Sequence, residues 1–248
     1  MRKTYIIDYG CGCTMGRVRR NNEDNFYCAG EIRTNPDSTD EVFLSGCVTS
    51  KDNETFAAFD GMGGEACGEI ASYLAASNCQ QFLKNKAHYD DYLYELSVML
   101  NERVVAETKA RSVVLMGSTA AMMQFGRKEI FILNSGDSRI YKCTQGELTQ
   151  LSKDQVAKGY KGKAPLTNFL GVPPEKRDFV PYIARGDYRN GDIFVMCTDG
   201  VTDMIGEENL TRLINEKTDL KSIAKNIIEL AKECGGVDNA TVIICRIR

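Results

Sequence analysis

The chain has 248 residues, of which 43% are hydrophobic and 26% charged, and its formal net charge is −3. This composition predicts one folded domain over residues 1–248. The small negative charge creates no field that attracts nucleic acid, so we expect no nucleic-acid partner. No apolar stretch reaches the length of a membrane span or a signal-peptide core, and we therefore expect a cytoplasmic protein with no membrane partner.

Strand patterns open the chain and two helix patterns follow them. β-Branched and aromatic residues separated by Gly, Asn and Asp predict strands at 4–9, 25–29 and 55–59. Apolar residues at helical spacing predict helices over 65–82 and 92–108. The first half of the chain is therefore expected to supply several strands and one helical pair.

The second half repeats this order. Strands joined by glycine-containing turns are predicted at 119–125, 130–134 and 139–142, and again at 193–197 and 240–246. Helices are predicted over 210–214 and 220–234, the second ending at Gly235-Gly236, and residues 159–174 are predicted to form a loop. This order differs from the strict alternation of a doubly wound parallel sheet, so we predict a mostly antiparallel, layered α/β (α+β) fold.

Several acidic residues follow apolar strands and precede glycine or a small polar residue. They lie in Asn22-Glu23-Asp24, Phe59-Asp60-Gly61, Gly136-Asp137-Ser138, Thr198-Asp199-Gly200 and Val237-Asp238-Asn239. A single Asp-Gly pair is usually only a turn. Five acidic sites that converge at the ends of a sheet would repel one another without cations, and carboxylates are the ligands that Mg²⁺ and Mn²⁺ prefer. Together these segments predict a metal cluster with oxygen ligands.

The ten cysteines and the single histidine, His88, limit the alternatives. One histidine cannot build a Ser-His-Asp triad or an HExxH zinc site, and we assign His88 no function. Scattered cysteines favour reduced, mostly buried thiols over disulfides. Cys11 with Arg17, and Cys13 with Arg19, have the C-x5-R spacing of a cysteine phosphatase. They lack, however, the preceding histidine and the following helix N-terminus that would lower the thiol pKa.

Six motifs in order along nearly the whole chain resemble those of the bacterial, metal-dependent type 2C serine/threonine protein phosphatases. They are Arg19 ahead of Glu23-Asp24, Asp60-Gly61-Met62-Gly63-Gly64, Gly117-Ser118-Thr119-Ala120, Gly136-Asp137-Ser138-Arg139, Thr198-Asp199-Gly200 and Asp238-Asn239-Ala240-Thr241. The resemblance implies a four-layer αββα sandwich, in which two antiparallel sheets are flanked by helical pairs. This architecture agrees with the order of elements read from the chain.

The resemblance also implies a centre of two Mn²⁺ or Mg²⁺ ions. Asp60 would bridge them, with the Gly61 carbonyl on one ion and Asp199 and Asp238 on the other. Water bridging the two ions would attack phosphorus directly, so no covalent phosphoenzyme forms. The implied activity is hydrolysis of phosphoserine and phosphothreonine in proteins.

Further roles in the site follow from the same resemblance. Glu23 and Asp24 would act through bound water, and Asp137 would join Asp199 in holding a third, weaker ion. Arg19 would bind the phosphoryl group through its planar fork of donors. Met62 occupies the position where some relatives carry a histidine that protonates the leaving group.

One departure from the family pattern concerns the flap beside the active site. Family members usually carry a long flap between an Asp-His motif and a later Leu-Gly, whereas here Asp154-Gln155 is followed after a short loop by Leu170-Gly171. The flap is therefore expected to be shortened, with the basic stretch 158–163 replacing part of it. This change leaves the duty of Asp137 and the substrate preference open.

The expected partners are phosphorylated proteins, such as substrates of a bacterial Ser/Thr kinase, bound by a monomer. Two alternatives stay open. The chain could be a phosphatase-like domain that binds a partner without turnover, although none of the expected acidic positions is missing. It could also be a phosphatase that acts on small molecules or on regulatory phosphoproteins.

Overall fold

The structure, a computed structural model, describes residues 4–63, 67–85, 92–127, 129–160 and 162–248. Gly64, Glu65 and His88 lie outside these ranges. The described strands are β1 (Ile6–Thr14), β2 (Asp24–Cys28), β3 (Val42–Thr49), β4 (Thr55–Met62), β5 (Gly117–Ser118), β6 (Ala120–Phe125), β7 (Glu129–Ser135), β8 (Arg139–Thr144), β9 (Glu147–Gln150), β10 (Tyr182–Asp187), β11 (Ile193–Cys197) and β12 (Ala240–Ile247). The described helices are α1 (Gly68–Asn85), α2 (Leu93–Ala110), α3 (Asp199–Ile214) and α4 (Leu220–Glu233).

The strands form two antiparallel sheets. The first has the order β3-β1-β12-β11-β8-β9, and the second has the order β10-β7-β6-β4-β2, with β5 beside β4. Apolar side chains of α1 and α2 pack on the outer face of the second sheet, and those of α3 and α4 pack on the outer face of the first. The predicted αββα sandwich is confirmed.

A third apolar cluster fills the space between the two sheets. Four fully buried phenylalanines, Phe26, Phe56, Phe125 and Phe194, lie in it. Phe125 makes edge-on ring contacts with Phe56 and Phe194, at centroid distances of 5.9 and 5.6 Å. Because fully burying one such side chain stabilises the fold by roughly 1.5–3 kcal/mol, this layer holds the two sheets together.

The predicted end of the first strand at Tyr9 was wrong, since β1 continues through Gly10 and Gly12 to Thr14. These glycines do not mark a turn. A Cβ on Gly10 would overlap the backbone carbonyl of Leu220 at the start of α4, so glycine here permits the helix to approach the sheet. The strand thereby reaches the end of the sandwich where the acidic segments lie.

Helix α3 begins eleven residues before its predicted start at Leu210, directly at Asp199. It is interrupted at Gly206, whose backbone angles (φ 68°, ψ 164°) are not helical. This break removes the apolar periodicity on which the prediction depended. Its early start places the first turn of the helix beside the acidic segments.

The prediction of free, mostly buried thiols is confirmed. All ten cysteines are free, and only Cys47 and Cys234 are exposed. None of the helices in the described ranges has the length and apolar character needed to cross a bilayer.

Candidate metal centre

Five strand ends bring the acidic segments to one end of the sandwich. Asp24, at the start of β2, lies opposite Asp60 near the end of β4. Asp199 lies two residues after the end of β11 and Asp238 two residues before the start of β12, and these two strands are antiparallel neighbours. Asp137 lies in the turn between β7 and β8.

These ends surround a pocket of about 480 Å³. Five carboxylates and two cationic side chains line it: Glu23, Asp60, Asp137, Asp199, Asp238, Arg19 and Lys163. Gly61 and Met62 also line the pocket. The structure thus brings the predicted site residues together, except that Asp24 is fully buried behind them.

The backbone of Asp60 is fixed by Thr119. The Asp60 amide donates to Thr119 Oγ1 at 3.0 Å, and the Thr119 amide donates to the Asp60 carbonyl at 2.8 Å. Thr119 Oγ1 in turn shares a 2.6 Å hydrogen bond with Ser138 Oγ. These contacts give the Gly117-Ser118-Thr119 motif a structural role, because they hold the central aspartate in place.

Asp24 is held by two threonines. Its Oδ2 accepts hydrogen bonds from Thr198 Oγ1 at 2.9 Å and Thr241 Oγ1 at 2.7 Å. The pKa of Asp24 is raised to about 7, mainly by burial and also by the negative charges of Asp199 and Asp238, while the two threonine hydrogen bonds oppose the rise. The ionised cluster is therefore electrostatically unfavourable without a compensating cation.

The same holds for the carboxylates in the pocket. Burial, together with the charges of Asp24 and Asp199, raises the pKa of Asp60 well above its usual range. Burial and the charge of Asp199 raise the pKa of Asp137 to about 6. Burial also raises the pKa of Glu23. Repulsion of this kind favours the binding of positive charge in the pocket.

Two cationic side chains compensate part of this charge. Lys163 Nζ forms an ion pair with Asp199 Oδ2 and lies 3.6 Å from Asp238 Oδ2. Arg19 Nη2 donates to Asp238 Oδ2 at 2.7 Å. In this arrangement the described residues contain no group of three His, Cys, Asp or Glu side chains already placed to hold an ion.

The residues of the pocket nevertheless fit divalent cations. Among the described residues, the buried Oδ1 atoms of Asp24 and Asp199 have no hydrogen-bond partner. An orphaned carboxylate oxygen is costly in a protein interior unless a cation or water satisfies it. Since the donors are all oxygens, the set suits Mn²⁺ or Mg²⁺ rather than zinc.

Sequence reasoning missed two residues that organise the site. Asn239 links three segments, because its Oδ1 accepts from the Glu23 amide at 2.8 Å and its Nδ2 donates to the carbonyls of Met15 and Asn21 at 2.9 and 2.8 Å.

The second of these residues, Arg33, is only 4% exposed. Its guanidinium donates to the Asp24 carbonyl from Nε at 3.1 Å and from Nη2 at 2.9 Å.

The Arg33 network makes a testable prediction. Arg33 also donates to the carbonyls of Asn22 and Ser38, so its fork joins the segment that carries Glu23 and Asp24 to the loop at Ser38. Arg33→Lys keeps the charge, but an ammonium has fewer N–H donors than a guanidinium and cannot reproduce its planar fork. We therefore expect this substitution to lower the free energy of unfolding by roughly 3 kcal/mol. Urea unfolding measures this, with Arg103→Lys on the exposed face of α2 as the control. Equal stability of the two variants would contradict the role of the fork.

The cysteine-phosphatase alternative is excluded by burial. Cys11 and Cys13 are fully buried in β1, and neither lines the pocket. Burial raises the pKa of Cys11 well above its ordinary value, and burial with the charge of Asp24 raises that of Cys13 to about 12. Neither thiol can supply a thiolate nucleophile at neutral pH.

Residues 31–236 match the family model described as protein phosphatase 2C. The chain belongs to the protein phosphatase 2C family. This phosphatase 2C chain is 26% identical over 258 residues to the serine/threonine protein phosphatase PstP of Mycobacterium tuberculosis. That similarity covers 98% of the chain but 45% of PstP, so the chain spans less than half of that relative's length.

Two further comparisons, with a second relative and with a solved catalytic domain, cover nearly the full length of both chains. It is 25% identical over 252 residues to the serine/threonine phosphatase Stp of Listeria monocytogenes, covering 92% of the chain and 91% of Stp. It is similar to the solved catalytic domain of PstP in complex with two manganese ions, with a TM-score of 0.74 and 25% identity over 98% of this chain and 99% of that one.

Proposed function

We propose that this chain is a metal-dependent protein phosphatase that hydrolyses phosphoserine and phosphothreonine. The observation that carries the proposal is the acidic pocket itself. Its carboxylates repel one another and leave buried oxygen atoms unpartnered, within a phosphatase 2C fold. A similar solved domain, that of PstP, is in complex with two manganese ions.

In this proposal Asp60, the Gly61 carbonyl, Asp199 and Asp238 hold two divalent cations. When bound, such cations lower the pKa of water and neutralise charge on phosphate oxygens. Glu23 and the buried Asp24 act through water, and Thr198 and Thr241 keep the Asp24 carboxylate oriented. The repulsion among these side chains favours cation binding, since it is relieved only when positive charge enters the pocket.

Arg19 is proposed to bind the substrate phosphate at the rim of the pocket. Its side chain is 44% exposed, and Asp238 is its hydrogen-bonded partner among the described residues. A guanidinium has five N–H donors, so others stay available to phosphate oxygens while the bond to Asp238 fixes its orientation. Met62 carries no proton to give, so the leaving alkoxide takes its proton from water.

Finer features extend the same proposal. Asp137 and Asp199 line the pocket together and are proposed to hold a third ion, and Mg²⁺ is proposed as an alternative to Mn²⁺. The substrates are proposed to be phosphoproteins made by a bacterial Ser/Thr kinase. We propose that residues 1–248 form one catalytic domain that acts as a monomer in the cytoplasm.

Metal removal tests the proposal. Hydrolysis of a phosphothreonine peptide should fall by about 10³-fold or more in EDTA, because the cations supply several kcal/mol of transition-state stabilisation. Excess Mn²⁺ should restore it. Activity that persists in EDTA and disappears in Cys11→Ser would contradict the metal mechanism. Mn²⁺ binding without turnover of any phosphopeptide would favour the partner-binding alternative.

A further inference from the structure

The shortened flap places a lysine in the metal pocket. Residues 156–166, here called the flap arm, are closed at their base by a bridge between Val156 and Leu166 and by a 2.9 Å hydrogen bond from the Ala157 amide to the Pro165 carbonyl. Lys163 lies between this base and the tip. The arm is therefore anchored at its ends, and it carries the ammonium of Lys163 to the acidic cluster.

The ammonium of Lys163 interacts with the carboxylates that the cations need. Nζ pairs with Asp199 Oδ2 and lies 3.6 Å from Asp238 Oδ2. The side chain as a whole remains 62% exposed, whereas that of Asp199 is only 8% exposed. The flexible side chain of Lys163 thus extends from solvent and places its ammonium against a buried carboxylate.

Two glycines of the arm have open space beside their backbone. Gly159 and Gly162 have positive φ angles of 84° and 87°, and no described atom lies within 4 Å of where a Cβ would stand on either. Lys158 and Tyr160 are exposed. Among the described residues 158–160, 162 and 163, Lys163 forms the ion pairs with the carboxylates of the pocket, and the loss of these pairs frees this part of the arm to move.

An ammonium and a divalent cation cannot share the same carboxylate oxygens. Both are attracted by Asp199 and Asp238, and like charges so close together repel strongly in a partly buried site. A cation that binds these aspartates must therefore displace Lys163. When a side chain occupies the position that a cation needs, the apparent affinity for the cation is the intrinsic affinity multiplied by the fraction of time for which that position is free.

We propose that Lys163 is an internal competitor for the divalent cation at Asp199 and Asp238. Metal binding then requires the Lys163 ammonium to leave the pocket and releases the flap arm. The inference rests on the proposed function, because it takes these aspartates as cation ligands. It adds that the shortened flap sets the metal affinity of this chain.

Calorimetric titration with Mn²⁺ tests the inference on the metal-free protein. Lys163→Met keeps the length of the stem without the charge, and we expect it to bind Mn²⁺ about tenfold more tightly than the wild type. Lys163→Arg keeps a competing charge and should stay much closer to the wild type. Lys158→Met, an exposed lysine on the same arm, is the matched control and should leave the affinity unchanged.

Thermal unfolding of the same proteins supplies a second readout. Without metal, Lys163→Met should melt at a lower temperature than the wild type, because Asp199 and Asp238 lose the positive charge of Lys163. Added Mn²⁺ should raise its melting temperature by more than it raises that of the wild type. This pattern separates competition from a general effect of the substitution on folding.

Two results would overturn the inference in distinguishable ways. If the wild type and Lys163→Met bind Mn²⁺ with equal affinity, or the variant binds more weakly, Lys163 is not a competitor and the proposed phosphatase function stands. If none of the proteins binds Mn²⁺, the metal centre itself is wrong and the inference fails with it.

Discussion

Asp60→Asn should reduce kcat/KM for a phosphothreonine peptide by about 10³-fold or more, because a neutral amide in the central position weakens the hold on cations that supply several kcal/mol. The same substitution should stabilise the metal-free protein against urea. Burial and the charges of Asp24 and Asp199 raise the pKa of Asp60 well above its usual range, so its ionised form is unfavourable in the folded state. Removing that charge relieves repulsion while preserving the shape of the side chain.

The combination of lost activity and gained stability distinguishes a cation ligand from a structural aspartate. Asp187→Asn is the control, since that side chain is 99% exposed and pairs with Glu129 at the start of β7, at the opposite end of that strand from Asp137. It should change neither quantity. An Asp60→Asn protein that is both inactive and less stable without metal would instead indicate that the carboxylate supports the fold, and the proposal of Asp60 as a cation ligand would be wrong.

Gly200→Ala should destabilise the protein by about 3 kcal/mol, the upper end of the usual cost of overpacking a closed site. Gly200 follows Asp199 in the first turn of α3, and a Cβ on it would overlap the backbone carbonyl of Asn239. The two segments that supply Asp199 and Asp238 would therefore be forced apart. Because small displacements of reacting groups are costly, kcat should also fall about 10²-fold.

Gly186→Ala is the matched control for this substitution. A Cβ on Gly186 in β10 would lie 3.6 Å from Ile130 Cγ1, an ordinary contact, so this variant should unfold within about 0.5 kcal/mol of the wild type. Urea unfolding and steady-state hydrolysis measure both effects. If Gly200→Ala unfolds like the control, α3 and the Asp238 segment are not packed as closely as described.

The central strands could be predicted from the sequence because they are buried on both sides. Ile193–Cys197 was predicted with its exact bounds, and all five of its residues are buried. The three longer strands that were missed, β3, β9 and β10, each form the edge of a sheet and are half exposed. An edge strand pairs on one side only, so fewer of its residues need to be apolar. The alternation of apolar and polar residues that predicts a strand is therefore weak.

The acidic residues of the pocket and Arg19 could be named from the sequence, whereas Arg33 and the ion pair of Lys163 could not. Asp60 and Asp199 stand at strand ends before glycine, which is a local signature. Arg33 donates to backbone carbonyls, and every residue has one. The residues next to Arg33 in the sequence therefore do not show which carbonyls it binds. Lys163 appeared only as part of a basic loop, because its pairing with Asp199 depends on how the flap arm folds back over the pocket.

The position of β12 has a consequence for biosynthesis. This strand inserts between β1 and β11, so residues near the two ends of the chain are direct neighbours. Pairing across so large a sequence separation is slow and must wait until β12 has left the ribosome. Asp238 and Asn239, which directly precede β12, take up their positions only at that step, so the proposed metal centre stays incomplete in a nascent chain until β12 has paired.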